Sequence, residues 1–360
     1  MSGTTRISRR TFALMCPIAL VPTAWVTMSC FGSIINRSLD YLHSLGHGED
    51  GPLDNGADVG TTALVAMAVL RGKEGRSDST VCMGLKSLED AVQLDGGIYT
   101  PGRRLENHET CLAMMCLGEA NADRRYDRIL RNAEAFVKTC QWDESKGQKQ
   151  SDMPYGGAGY GKQQRPDLGN TAFLLDAITS RNVDRSDRVV QKALLFVSRC
   201  QNTNGEDNMV SPAHGGGFRS SSVSGGLPSC GVMTYSGLKG LLCAGVTRDD
   251  MRVKAALAWI RNNYDMKSNP GMGSAGLYHY YHACAKTLNA LGMEVIEDSA
   301  GIKHQWRNEL CTEIVQRQAK DGSWVNENGC WLENDPQIAT AHALLALSYC
   351  RQPSNKSRNT

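Results

Sequence analysis

The chain has few aromatic residues, 6% in all, only 11 Pro, and almost no net charge: +2 from 39 Lys and Arg against 37 Asp and Glu. So few aromatics argue against a sugar-stacking cleft. Lys and Arg are dispersed rather than gathered into a stripe, which argues against nucleic acid as a partner. No Pro/Ser-rich linker divides the sequence, so residues 31–351 read as one domain. Thirteen Cys are present, yet there is no C-x-x-C pair and no Cys/His group of zinc-finger spacing. Cys140 and Cys200 hold the same place in two repeats, FVKTCQ and FVSRCQ, and so read as small core hydrophobes rather than a disulfide framework. Also missing are a G-x-S-x-G elbow, a P-loop, a G-x-G-x-x-G following a strand and an H-E-x-x-H pair.

What is present is a repeat. Gln318–Trp324 reads QAKDGSW, and degraded copies start at Gln93 (QLDGGIY), Gln141 (QWDESKG) and Gln201 (QNTNGED). The steps are 48, 60 and 117 residues, the last about two periods, so one copy has lost its glutamine. Around these motifs, apolar residues at helical spacing predict six helix pairs. First helices fall near 34–45, 81–92, 129–140, 189–200, 253–264 and 302–315; second helices near 59–70, 109–117, 168–178, 233–243, 280–291 and 338–347. The second helices are rich in small residues (TTALVAMAVL, NTAFLLDAI, TYSGLKGLL, ATAHALLAL), suiting close packing, whereas the first carry charge on one side. The fold class is therefore all-α, a six-hairpin α/α toroid. An open solenoid would need polar capping repeats at both ends, and neither end has one.

In such a toroid all inner helices run one way. Their N-termini, with unpaired N–H groups and partial positive charge, ring one mouth of a central cavity. Candidate residues at that mouth are Asp58, His108, Glu109, Asp167, Asn170, Cys230, Tyr235, His279, His282, Asp335 and His342, with Tyr278 and Tyr281 adding apolar lining. Asp167, Asn170 and Tyr235 are the catalytic candidates; Glu109, Tyr278, Tyr281, His279 and Asp335 are the ligand-binding ones. A pair of carboxylates, Glu109 with Asp167 or Asp335, also leaves open a polysaccharide-active barrel.

The first thirty residues read as an address. SRRTFAL, Ser8–Leu14, sets two arginines before an apolar run to Met28, the pattern of a twin-arginine export signal. The run is short and broken by Pro17 and Pro22, which favours a signal over a spanning anchor. The expected location is periplasmic or membrane-anchored, and the signal region or a lipidated Cys30 would provide the membrane contact. The tail, residues 352–360, is polar and is expected to be disordered.

With QAKDGSW, its copies and the six-pair pattern, the chain resembles the superfamily of squalene-hopene cyclases and protein prenyltransferase β-subunits, here with the length of one toroid. The resemblance implies an apolar, isoprenoid or lipid-like ligand. The cyclases protonate an alkene from a D-x-D-D-T segment; the matching stretch here is DLGNT, Asp167–Thr171, where Gly169 and Asn170 replace two of the acids. Protonation-initiated cyclisation is therefore not expected. The prenyltransferases hold zinc with Asp, Cys and His; Cys230 and His282, 52 residues apart, match two of these, Pro228 stands at the aspartate, and His279 is a substitute third ligand. The alternative is a noncatalytic toroid that binds a lipid or protein partner through the same mouth.

Overall fold

The computed structural model describes residues 28–46, 58–72, 75–202, 215–222 and 228–351. The expected leader and tail lie outside these residues, except that Met28–Cys30 open the first helix. Twelve α-helices occur among the described residues. The outer set is α1 (Met28–Gly46), α3 (Ser79–Asp90), α5 (Asp127–Cys140), α7 (Arg188–Arg199), α9 (Met251–Asn262) and α11 (Trp306–Gln316). The inner set is α2 (Val59–Leu70), α4 (Glu106–Glu119), α6 (Leu168–Thr179), α8 (Gly231–Cys243), α10 (Leu277–Ala290) and α12 (Pro336–Cys350). Each inner helix packs on the next, and α12 packs on α2, so the ring is closed. The toroid expected from the repeat is the fold observed.

Two expected helix starts are wrong. The first helix of the first pair starts at Met28, not near residue 34. The first helix of the last pair starts at Trp306, not near residue 302, because Ile296–Glu297 (β1) and Lys303–His304 (β2) pair as a short antiparallel hairpin. Asp298 holds that turn by accepting from the N–H of Ala300 and Ile302, which competes with helix formation there.

The two helix sets differ as their sequences require. In α5 the buried residues Leu130, Ala133, Phe136, Val137 and Cys140 form one stripe, with charge on the other face. In α2 every residue from Val59 to Val69 is buried, because it faces neighbours on all sides. The repeat motif is the joint between hairpins. Gln141 Nε2 donates to Gly156 O and to Val189 O at the start of α7, both at 2.9 Å. Gln201 repeats this with Gly216 O and Arg252 O of α9, both at 2.8 Å. Gln318 Nε2 reaches Gly322 O and Ile34 O of α1, both at 3.0 Å, fastening the last hairpin to the first. The glycine whose carbonyl takes that bond, Gly156, Gly216 or Gly322, has positive φ, and a Cβ on Gly156 would sit 1.9 Å from Lys192 O of the next outer helix.

A second device repeats on the inner helices. The N–H groups of Ile98, Ala158, Phe218 and Trp324 donate to the hydroxyls of Thr110, Thr171, Thr234 and Thr340, each at 2.9 or 3.0 Å. Each threonine lies in the first two turns of an inner helix and ties the Gly-rich loop to it. The hairpin that lost its glutamine uses tyrosine instead: Tyr280 and Tyr281 donate to Asp265 O and Met266 O.

Candidate functional site in the lumen

Parallel inner helices set one group of residues at the N-terminal mouth. Asp58, Asp167 and Asp335 occupy the N-cap positions of α2, α6 and α12 and accept from the N–H of Thr61, Asn170 and Gln337, each at 2.8 Å. These bonds satisfy orphan donors of the first turn. Cys230 stands at the same position of α8 without a side-chain cap bond. Helix α10 begins after Gly276, which has no side chain, and its cap arrives from elsewhere: the buried Glu333 accepts from His279 N at 2.7 Å and from Asn326 Nδ2 at 2.7 Å.

Below this mouth lies a cavity of about 380 Å³. Leu64, Leu112, Phe173, Met233, Leu332 and Ile338 make most of its wall apolar; Asp58, Arg103, Asp167, Asn170 and three histidines are its polar features. Asn170 is nearly fully buried and organises one side. Its Nδ2 donates to Asp167 Oδ2 at 2.7 Å, which leaves Asn170 Oδ1 as acceptor for His108 Nδ1 at 3.1 Å. That arrangement puts the His108 proton on Nδ1 and turns Nε2 into an acceptor. Burial pushes the Asp167 carboxyl above the ordinary aspartate range, opposed by its two bonds from Asn170. Asp58 is instead paired with Arg103 at 3.0 Å.

The histidines run down the lumen. His108 meets Phe173 edge-on, Phe173 stacks over His279, His279 stacks on His342, and His342 Nδ1 lies 3.2 Å from His282 Nδ1. Burial holds all four below the usual histidine pKa, His279 at about 4, so all are neutral at physiological pH. Trp331 closes over His279, its ring edge-on at 5.3 Å between centroids.

Several expected site residues lie elsewhere. Glu109 is fully buried behind the cavity wall, with Oε2 accepting from Thr100 N at 2.6 Å; burial raises its carboxyl to about 7, and the neighbouring Asp58 adds to that. Tyr278 and Tyr281 are buried in the wall and do not line the cavity, because α10 turns that face toward the loop held by the Tyr281 hydroxyl. Tyr235 is buried against Tyr280, also away from the cavity. Asp335 caps its helix and is absent from the lining, so the carboxylates weighed for sugar hydrolysis do not converge there. His282 meets His342, and among the described residues no group of three or more His, Cys, Asp or Glu is placed to hold a metal. Pro228 also supplies no ligand, so the residues present do not fit a zinc site.

What sequence reasoning missed lies deeper. Phe173, His282 and Leu112 also border spaces toward the helix C-termini, of about 40 and 260 Å³, lined besides by Arg71, Asp176, Lys239 and Lys286. Asp176 accepts from Lys239 Nζ at 2.7 Å and from Lys286 Nζ at 2.5 Å. The two ammonium groups hold its carboxyl well below the usual range. Glu333 was likewise not singled out from the sequence.

No protein-family model and no curated protein matches the chain. Solved structures do. A type II terpene cyclase, MstE from Scytonema, superposes with a TM-score of 0.54 at 11% identity, covering 88% of this chain and 97% of that one. A variant of that cyclase in complex with merosterolic acid A, its product, gives 0.53 at 12% identity over 89% and 96%. A protein from Actinoplanes gives 0.52 at 13% identity over 89% and 99%. The fold is thus that of the terpene-cyclase toroid, and at these identities the likeness concerns fold alone.

Proposed function

We propose that the protein binds an apolar, isoprenoid-like small molecule in its lumen and does not cyclise it by protonating an alkene. The observation that carries this is the combination of a mostly apolar cavity at the mouth of the ring with a single carboxylate, Asp167, at the acid position. Both Asp167 oxygens already accept from Asn170, and among the described residues no second carboxyl is within its hydrogen-bond network to tune it. The complex of MstE with merosterolic acid A supports an apolar occupant for a toroid of this shape. The twin-arginine leader is part of the same reading: the protein acts outside the cytoplasm, and cell fractionation of an Arg9→Lys, Arg10→Lys variant should find it retained inside.

The test is direct. Native mass spectrometry of the purified protein should show a bound apolar small molecule, and squalene incubated with it should be recovered unchanged. A cyclic product from the wild type would overturn the binding-only reading. A second reading has one observation in its favour, since burial raises the Asp167 carboxyl and so helps it hold a proton beside the cavity. If any isoprenoid is converted, Asp167→Asn should abolish the conversion.

A further inference from the structure

The lower lumen carries charge that the fold alone does not require. Two lysines on inner helices, Lys239 of α8 and Lys286 of α10, share one aspartate, Asp176 of α6. Each lysine side chain is only 19% exposed. The nearby Arg71 is matched by Glu119, Nε to Oε2 at 3.0 Å, so it neither adds to nor cancels the excess. Three titratable groups thus leave one positive charge against the lumen wall. Buried charges are ordinarily paired one to one, because each unpaired ion forfeits hydration. Lys239 also has Cys243 Sγ at 2.9 Å, a neutral partner, and Lys286 Nζ also lies 3.8 Å from Met115 Sδ.

A second, independent observation lies one helical turn away. His282 is placed i, i+4 from Lys286 on the same face of α10 and borders the same two spaces. Its Nδ1 faces His342, and its Nε2 is buried with no hydrogen-bond partner among the described residues. With His342 Nδ1–H donating to His282 Nδ1, the His282 proton sits on Nε2, and an unpaired N–H beside an excess ammonium group is a receptor for an oxyanion.

We propose that Lys286, with Lys239 and His282 Nε2, forms an anion subsite that receives the oxyanion head, carboxylate or phosphate, of an amphiphile whose apolar chain rises past Phe173 toward Asp167. This deepens the binding function proposed above and rests on it. Phe173 borders all three spaces and is the side chain that a ligand reaching from one to another must pass. Along α6 from Asp167 to Asp176 the lumen runs roughly 14 Å at the helical rise. The ligand therefore has two ends read by different chemistry.

The experiment measures affinity for two probes with the same chain, farnesol and farnesoic acid, on wild type, Lys286→Met and Lys286→Arg. Farnesol tests the cavity; the acid tests the subsite. The expected result is that Lys286→Met weakens the acid about tenfold or more, as loss of a charged hydrogen bond does, leaves farnesol unchanged, and is rescued by Lys286→Arg. Equal effects on both probes, or none, would overturn the subsite while leaving the cavity intact. If wild type binds neither probe, both readings fall. Melting temperatures report folding, and if Lys286→Met does not fold, Lys239→Met is read the same way. Inorganic phosphate competing with the acid but not with farnesol would place the phosphate head among the accepted anions, and farnesyl phosphate then ranks the two heads.

Discussion

The two ends of the lumen are built on opposite principles. At the N-terminal mouth the charged groups are locally satisfied: Asp58, Asp167 and Asp335 each cap their own helix, and Arg103 pairs with Asp58. Each bond spans a few residues or one neighbouring loop, so losing one disturbs one turn. Toward the C-terminal end, Asp176, Lys239 and Lys286 come from three different helices and hold one another across the ring. That end behaves as a keystone. Helix capping makes the upper acids structural first, while the lower charges answer to nothing local.

The largest effect follows from this contrast. Asp176→Asn strands two ammonium groups in a poorly solvated lumen and should cost about 3–5 kcal/mol, read as a collapse of the melting temperature or failure to fold. Asp167→Ala, at a single cap, should cost about 1 kcal/mol. Comparable losses for the two variants would break the distinction between the ends.

A pH titration sharpens it next. Folding depresses His279 from 6.5 to about 4, and His108, His282 and His342 shift the same way through burial. Unfolded histidines bind protons in this window and folded ones do not, so their stability contribution is complete above pH 6.5 and is lost as pH falls toward 4. Asp176, being depressed, loses its contribution only at lower pH, as it is protonated through its folded value. Thermal melts between pH 7 and 4 should therefore fall, and His279→Gln should flatten the slope. An unchanged slope in that variant would show that the lumen hydrates freely.

Glu109 moves in the opposite sense. Its carboxyl is raised to about 7, so its contribution is complete below pH 4.5 and is lost as pH rises through 7. Glu109→Gln keeps an acceptor for Thr100 N and removes the buried charge, so the variant should gain on wild type as pH goes from 6 to 8. Parallel melting curves over that range would show that Glu109 ionises without penalty.

The ring was legible in the sequence because its joint is local. Gln, Gly and the small residues of the inner helices recur at the repeat period, and each has one geometric task. The Asp167 end was legible too, since N-caps are read from residues beside a helix start. Glu109 and Tyr281 were misread for one reason: helical spacing says that a residue is inward or outward only to within the wedge its neighbours leave, and both fall in the wall between helices. The lower charges went unnoticed although NTAFLLDAI, TYSGLKGLL and YYHACAKTL each carry one inside an apolar helix. A charge in an otherwise buried helix requires a partner, and only the closed ring tells which helices supply it. Glu333 capping α10 from the next hairpin is likewise long-range information.

A last comparison separates scaffold from site within five consecutive residues. In DLGNT, Asp167 and Asn170 border the cavity, but the Thr171 hydroxyl accepts from Ala158 N at 3.0 Å and is fully buried. The same bond recurs at Thr110, Thr234 and Thr340, so Thr171 belongs to the repeat. Thr171→Val keeps the shape and removes the acceptor, leaving a buried N–H unpaired at a cost of about 1–3 kcal/mol. Farnesol affinity should not change, because the side chain does not reach the cavity. Asn170→Ala should do the reverse: it frees Asp167 and His108 from each other and alters affinity by more than it alters the melting temperature. Isothermal titration and thermal melts on the two variants give the comparison, and a Thr171→Val variant that melts normally but loses the ligand would move the site boundary one residue further along α6.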